Sequence, residues 1–279
     1  MLARGLAAAA SLLLIGAAPV GPRVMSISLC TDQLLLALLP PDRIVSVSYL
    51  ARDAASPAVA ALARRVPVNR QSAEEVLRQK PDLVLADAFA EPATRIMLRR
   101  LGYPLLEAPS PTDFDGIRAA TLQVGKAVGA EPRARALVAR MDAALAEMRA
   151  NPAPGAPRVA AWDGSGRLPP KGSLYDAVIT AAGARNVGRE PLPRGGFRME
   201  ALLASRPDYL LHDNLVLATS GRQAELVGHP LVRRLYRDRQ IVIAQEQFVC
   251  GNPATAEAAL SLNRALRAAH RKTDVGGRG

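Results

Sequence analysis

Short apolar runs, each followed by a polar cluster and then by a stretch of helical period, alternate along most of the chain. Val24–Leu29, Ile44–Val47, Leu83–Ala86 and Leu105–Glu107 read as strands in the first half, and Val159–Trp162, Asp208–Leu211 and Ile241–Ala244 in the second. The helices read between them are Asp32–Leu39 capped by Thr31, a short one within 51–65, one behind Ser72-Ala73-Glu74-Glu75, Pro92–Leu101, and one from a cap at Asp113 to about Val128. Ser72 and Glu75 have the spacing of a capping box, in which hydroxyl and carboxylate satisfy the free N–H groups of a helix start. The second half adds Ser173–Ala182, Met199–Ala204, pieces near Gln223–Val227 and Leu231–Arg237, and a closing helix Thr255–His270. The strands are continuously apolar, so both of their faces are buried. Strands of that kind alternating with helices predict an α/β fold of mainly parallel sheets.

One helix is longer than the rest. Glu131–Ala150 carries Leu137, Met141, Ala144, Leu145 and Met148 on one stripe, with arginines and acids elsewhere. It would span roughly 30 Å. On either side of it the chain repeats itself. Glu74 and Glu200, Pro81 and Pro207, and Asp87 and Asp213 share one ungapped offset of 126 residues (200 − 74). A short helix, a Pro-Asp turn and a strand recur, which predicts two similar α/β lobes joined by a single long interlobe helix, with a cleft between them. The lobes are read as 19–130 and 151–270, the helix as 131–150, and the Gly-rich end 271–279 as a disordered tail.

Composition narrows the setting. Nearly half of the 279 residues are apolar, enough for a sizeable core, and the formal charge is +11, mostly from arginine. A basic surface favours anionic partners. Aromatics are scarce and no basic stripe is interleaved with them, so nucleic acid is not expected. At the N-terminus Arg4 precedes an apolar run from Leu6 to Ala18, with Gly16 and Ala18 at the small positions of a cleavage site. Residues 1–18 are therefore read as a cleavable secretory signal, too short for a membrane span. No cysteine follows closely enough for a lipid anchor, so a soluble periplasmic protein is expected.

In parallel sheets ligands sit outside the carboxyl ends of the strands. The residues there are Cys30, Thr31, Asp32, Tyr49, Asp87 and Phe89 in the first lobe, and Trp162, Asp163, His212, Asp213, Phe248 and Cys250 in the second. The two cysteines leave three readings open. They form a disulfide, which a periplasmic address permits; they ligate a metal or metal chelate with His212; or they are two small buried packing residues. Their spacing matches no standard zinc pattern, and no resident metal or cofactor is read from the chain. The glycine-rich and nucleophile-elbow motifs of common α/β enzymes are missing.

The signal, the two lobes across one long helix, the early Ser28-Leu29-Cys30-Thr31-Asp32 helix start and the Glu-x6-Pro-Asp unit in each lobe resemble the periplasmic substrate-binding proteins of ATP-driven importers, of the cobalamin and ferric-siderophore type. The resemblance covers nearly the whole chain after the signal. It implies a monomeric binding protein rather than an enzyme, small hinge motion, and a metal chelate (ferric siderophore, corrinoid or haem) held between preformed walls. It also implies that Glu74 and Glu200 dock onto arginines of a two-fold symmetric membrane permease through charge-assisted hydrogen bonds. In such a cleft Tyr49, Phe89, Trp162 and Phe248 would stack on a flat chelate, and Arg70 would meet an anionic one. The alternatives are a protein for a bare metal ion and an enzyme using the same crevice.

Overall fold

The first strand, β1 (Val24–Ser26), is fully buried and becomes the centre of a five-stranded sheet. Around it lie β2 (Ile44–Ser48), β3 (Val68–Asn69), β4 (Leu83–Ala86) and β5 (Leu105–Glu107) in the order β3-β2-β1-β4-β5, every pair parallel. This is a computed structural model, and it describes residues 21–52, 57–162, 168–190, 199–213, 229–243 and 249–276. Successive strand residues face opposite ways, so Val24 and Leu85 join one core and Met25, Val84 and Ala86 the other. The first face is covered by α1 (Leu29–Leu38) and α2 (Pro57–Ala63), the second by α3 (Ala73–Gln79) and α4 (Pro92–Arg100).

The second lobe repeats the plan with four parallel strands, β6 (Arg158–Trp162), β7 (Arg185–Asn186), β8 (Tyr209–Asp213) and β9 (Gln240–Ile243), in the order β7-β6-β8-β9. Val159, Ala161 and Leu211 face α7 (Leu174–Ala181) and α10 (Thr255–Gly276); Ala160 and Leu210 face α8 (Met199–Ser205) and α9 (Pro230–Tyr236). The sequence repeat is realised element for element. The bounds of α3 and α8 differ by 126 residues (199 − 73), and so do the starts of β4 and β8 (209 − 83). Lys80 and Arg206, at the same offset, both take the left-handed backbone that ends the helix.

Two helices, not one, run between the lobes. The expected rod is α6 (Glu131–Ala150), which gives Ala134 and Leu137 to the first lobe's core and Val138, Met141, Leu145 and Met148 to the second's. Beside it α5 (Phe114–Ala127) runs the other way, with Ile117 in the second core and Val124 in the first. They close to near contact at Gly125, where a Cβ would stand 2.3 Å from that of Ala134. An ion pair from Arg118 to Asp142, 2.5 Å, ties their flanks.

The helix starts at Ser72, Asp113 and Ser173 form as expected, each side chain accepting a backbone N–H three residues on. Glu75, however, reaches back to the N–H of Arg70 rather than to that of Ser72. The first strand stops at Ser26 rather than running to Leu29, and α1 begins at Leu29 with Ser28 in the cap position. Cys30, Thr31 and Asp32 therefore occupy its first turn, and Thr31 is no cap. The strands β3 and β7 were missed because two residues carry no period. The closing helix continues to Gly276, past His270. The signal stretch 1–18, Asp163, Phe248 and the expected helix at 223–227 lie outside the described residues. Among the described residues no helix is long and apolar enough to cross a membrane.

Candidate ligand cleft

Beneath the carboxyl ends of the first lobe's strands lies a layer of buried polar groups: Ser26, Ser28, Thr31, Asp32, Ser46, Ser48, Asn69 and Asp87. Buried polar groups are stable only when paired, and here the pairing ties one strand end to the next. The Thr31 hydroxyl lies 2.7 Å from both the Ser26 and the Ser28 hydroxyls. Asn69 donates to the Ser26 carbonyl and the Ser46 hydroxyl, and accepts the N–H of Gln71 at 3.0 Å. Asp32 accepts the N–H of Ser48 at 3.0 Å and, in a short bond, its hydroxyl. No cation meets this carboxyl among the described residues. Burial pushes its pKa up to about 7; the Ser26 and Ser48 hydroxyls and the Ser48 N–H hold it back, and the charge of Asp87 adds to the rise.

The layer presents what stands above it. Asp32 fixes Ser48, and Tyr49 follows at the head of a short 3-10 turn, 44 % exposed. The Asn69 side chain closes a turn through Gln71, whose φ of 67° is left-handed, with exposed Arg70 at its tip. Asp87 accepts the N–H groups of Phe89 and Ala90 at 2.9 and 3.2 Å, a turn that leaves Phe89 77 % exposed. The other oxygen of Asp87 is buried with no hydrogen-bond partner among the described residues. Read in the order of the strands, the rim carries Arg70, Tyr49, Cys30 and Phe89. From first to last is three strand spacings, about 14 Å. Thr31, Asp32 and Asp87 lie under the rim, where they hold the wall rather than line it.

In the second lobe, Trp162 ends β6 opposite His212 of β8, and Asp213 pairs with Ile243 at the end of β8. His212 is buried, with Nε2 3.1 Å from the Gln240 amide oxygen, and so belongs beneath its rim. The support layer has a counterpart here with a different charge balance. Asn186 again closes a turn, accepting the N–H of Gly188, and donates to Asp176. Burial alone would raise the pKa of Asp176, but the Arg189 guanidinium, Asn186 and the Gly172 N–H outweigh it and the carboxyl falls below its usual value. Sequence reasoning missed Ser48, Asn69 and Asn186; each lies at a strand end, and only the turns that the asparagines close reveal them.

Cys30 and Cys250 form a disulfide with their Cα atoms 5.1 Å apart. That decides among the three readings: neither sulfur is a free thiolate for a metal, and neither residue is there only to pack. Among the described residues no group of three or more His, Cys, Asp or Glu is placed to hold a metal ion. Glu74 is exposed on the first turn of α3, and its pKa is lowered by its own backbone N–H and the Ser72 hydroxyl. Glu200 occupies the matching place in α8.

No curated protein sequence matches the chain. Solved structures do. A periplasmic haem-binding protein, RhuT from Roseiflexus sp. RS-1 in its apo form, aligns with a TM-score of 0.72 at 24 % identity, covering 89 % of this chain and 99 % of its own. The periplasmic haem-binding protein BhuT in complex with two hemes gives 0.71 at 27 % over 89 % and 98 %. The vitamin B12 binding protein BtuF of Vibrio cholerae gives 0.67 at 17 % over 90 % and 98 %. The model of one family, described as periplasmic binding protein, matches residues 24–236. With that match spanning most of the chain, and with two parallel sheets joined by helices that enter both cores, the chain belongs to the periplasmic binding protein family.

Proposed function

We propose that this protein captures a metal chelate in the periplasm and hands it to the membrane permease of an ATP-driven importer, and that the chelate is a planar tetrapyrrole, of the haem or corrinoid class. The rim of the first lobe carries the proposal. A cation, an aromatic, the disulfide and a second aromatic stand in one row, a broad surface with a polar end and apolar stacking positions. Such a surface suits a wide, flat ligand with an acidic edge, because aromatic faces stack on conjugated rings and a guanidinium pairs with a carboxylate in two-pronged fashion. The similarity to BhuT, a haem binder, agrees with this. Trp162, Asp163, Asp213 and Phe248 would supply the opposite wall.

Residues 1–18 would direct export and be removed, and the mature chain would act as a monomer. Glu74 and Glu200 would make the permease contacts, one per lobe. Glu74 is exposed and, like any surface glutamate, charged at neutral pH, as an arginine partner requires.

The test is a titration of the chain lacking residues 1–18 with haem, cobinamide, cobalamin and a ferric hydroxamate, followed by quenching of Trp162 fluorescence and by calorimetry. Saturable binding at micromolar concentration or below by a tetrapyrrole, and not by the hydroxamate, is expected. A preference for the hydroxamate would replace the tetrapyrrole reading, and no binding of any chelate would remove the capture function.

A further inference from the structure

The disulfide does more than staple a loop, because its two halves belong to different lobes. Cys30 lies on the first turn of α1, over the first lobe's sheet. Cys250 belongs to the segment that leaves β9 and enters α10, a helix built into the second lobe's core. Around the bond this segment reaches across to the first lobe again. The Asn252 amide donates to the Gln33 amide oxygen at 2.8 Å. Gly251 lies so close to the chain ahead of α5 that a Cβ there would stand 2.5 Å from the Pro111 carbonyl oxygen.

Between this bridge and α6 the seam is hollow. A groove of about 600 Å³ is lined by Leu34 and Val59 of the first lobe, Leu137 and Met141 of α6, and Ala254 and Ala256 of the second lobe. Among the described residues, the groove separates the bridge from α6, while Gly251 beside the bridge packs on Pro111 and Ile117 at the start of α5. The Cys30–Cys250 bond therefore ties the lobes covalently beyond the packing of the α5–α6 pair; without it the lobes keep only that packing against twist and splay.

We infer that the Cys30–Cys250 disulfide is the second anchor of the interlobe hinge, a positioning pair that sets the angle between the two cleft walls. Cleaving it leaves each lobe folded but frees the lobes to splay about α5 and α6. Cys30 stands between Tyr49 and Phe89 in the order of the strands, so the angle the bond sets is also the gap into which a flat ligand must fit. Only this last consequence rests on the proposed function; the mechanical claim does not.

The experiment measures the interlobe distance directly. Spin labels are attached through p-acetylphenylalanine at Arg100 on α4 and Arg234 on α9, one exposed position per lobe. Distance distributions are recorded without ligand for the oxidised chain, for the chain reduced by a phosphine and blocked, and for Cys30→Ala/Cys250→Ala. A single narrow distribution that widens and shifts in both cleaved forms, with circular dichroism unchanged, is expected. Haem dissociation from the same samples should quicken severalfold. Superimposable distributions before and after cleavage would overturn the proposal whatever the ligand result. If the alanine pair does not fold, the reduced and blocked native chain decides alone. A widened distribution with no haem bound in any form would leave the anchor standing and remove the tetrapyrrole.

Discussion

Asp82 and Asp208 make the same two hydrogen bonds in two different lobes. Asp82 accepts the N–H of Arg23 at 2.7 Å and donates its own N–H to the Arg23 carbonyl at 2.9 Å. Asp208 does so with Arg158, at 2.7 and 2.8 Å. Each arginine stands at the entry of its lobe's first strand. Each aspartate follows a proline, and each proline follows a left-handed residue, Lys80 or Arg206. The Pro-Asp turn is thus a clamp that fixes the incoming strand beside the outgoing one.

Removing either clamp should destabilise its lobe by a similar amount. A charge-assisted hydrogen bond contributes about 1.5–3 kcal/mol, so Asp82→Ala and Asp208→Ala are each expected to cost about that in urea unfolding. The costs should add in the double variant, since the sites share no partner, and asparagine at either place should recover part of the loss.

The buried carboxyl of Asp32 makes stability depend on pH in an unusual direction. Its pKa is about 7 in the folded chain against 3.8 for an ordinary aspartate. Below the lower value both folded and unfolded chains hold the proton and nothing is lost. As pH climbs towards 7 the unfolded chain releases it while the folded chain does not, so stability falls and then levels off, by up to about 4 kcal/mol. Asp32→Asn keeps an acceptor for the Ser48 N–H and has no charge to bury. It should flatten this slope and be more stable than the parent at pH 8, measured by thermal unfolding across the range.

Gly125→Ala should loosen the pair of crossing helices. The added methyl would collide with that of Ala134, and overpacking of this kind costs about 1–3 kcal/mol. Faster amide exchange along α5, with the strands unaffected, is the signature to look for.

Phe89→Ala should change binding and not folding. The side chain is exposed and touches no core, so stability should stay within about 0.5 kcal/mol of the parent. Loss of one stacking face is worth about 0.5–1.5 kcal/mol, roughly a twofold to twelvefold weakening for a tetrapyrrole by calorimetry. Unchanged affinity would take Phe89 out of the cleft.

The two-lobed plan was legible because it rests on patterns that act locally and occur twice. Buried parallel strands leave continuous apolar runs, and Pro81 and Pro207 mark the same turn at one offset. The role of α5 was not legible, since a helix shared by two cores shows the same stripe as one buried in a single core; only its approach at Gly125 reveals it. The division of the site residues into a rim and a layer beneath it was hidden too. Tyr49 and Asp32 both lie near strand ends in the sequence, and only the register of α1 shows that one stands in the open and the other is sealed. Cys30 and Cys250 could not be paired from spacing, because 220 residues separate them and the fold alone brings them together.

The path of α6 has a consequence for how the chain melts. Leu137 is committed to one lobe and Met141, one turn on, to the other. Unravelling either lobe therefore strips a half of the helix that the other needs, and the antiparallel run of α5 doubles that dependence. The two lobes look alike and repeat alike, yet they should melt in a single cooperative transition, and a cut through residues 131–150 should yield two fragments that fold only in each other's company.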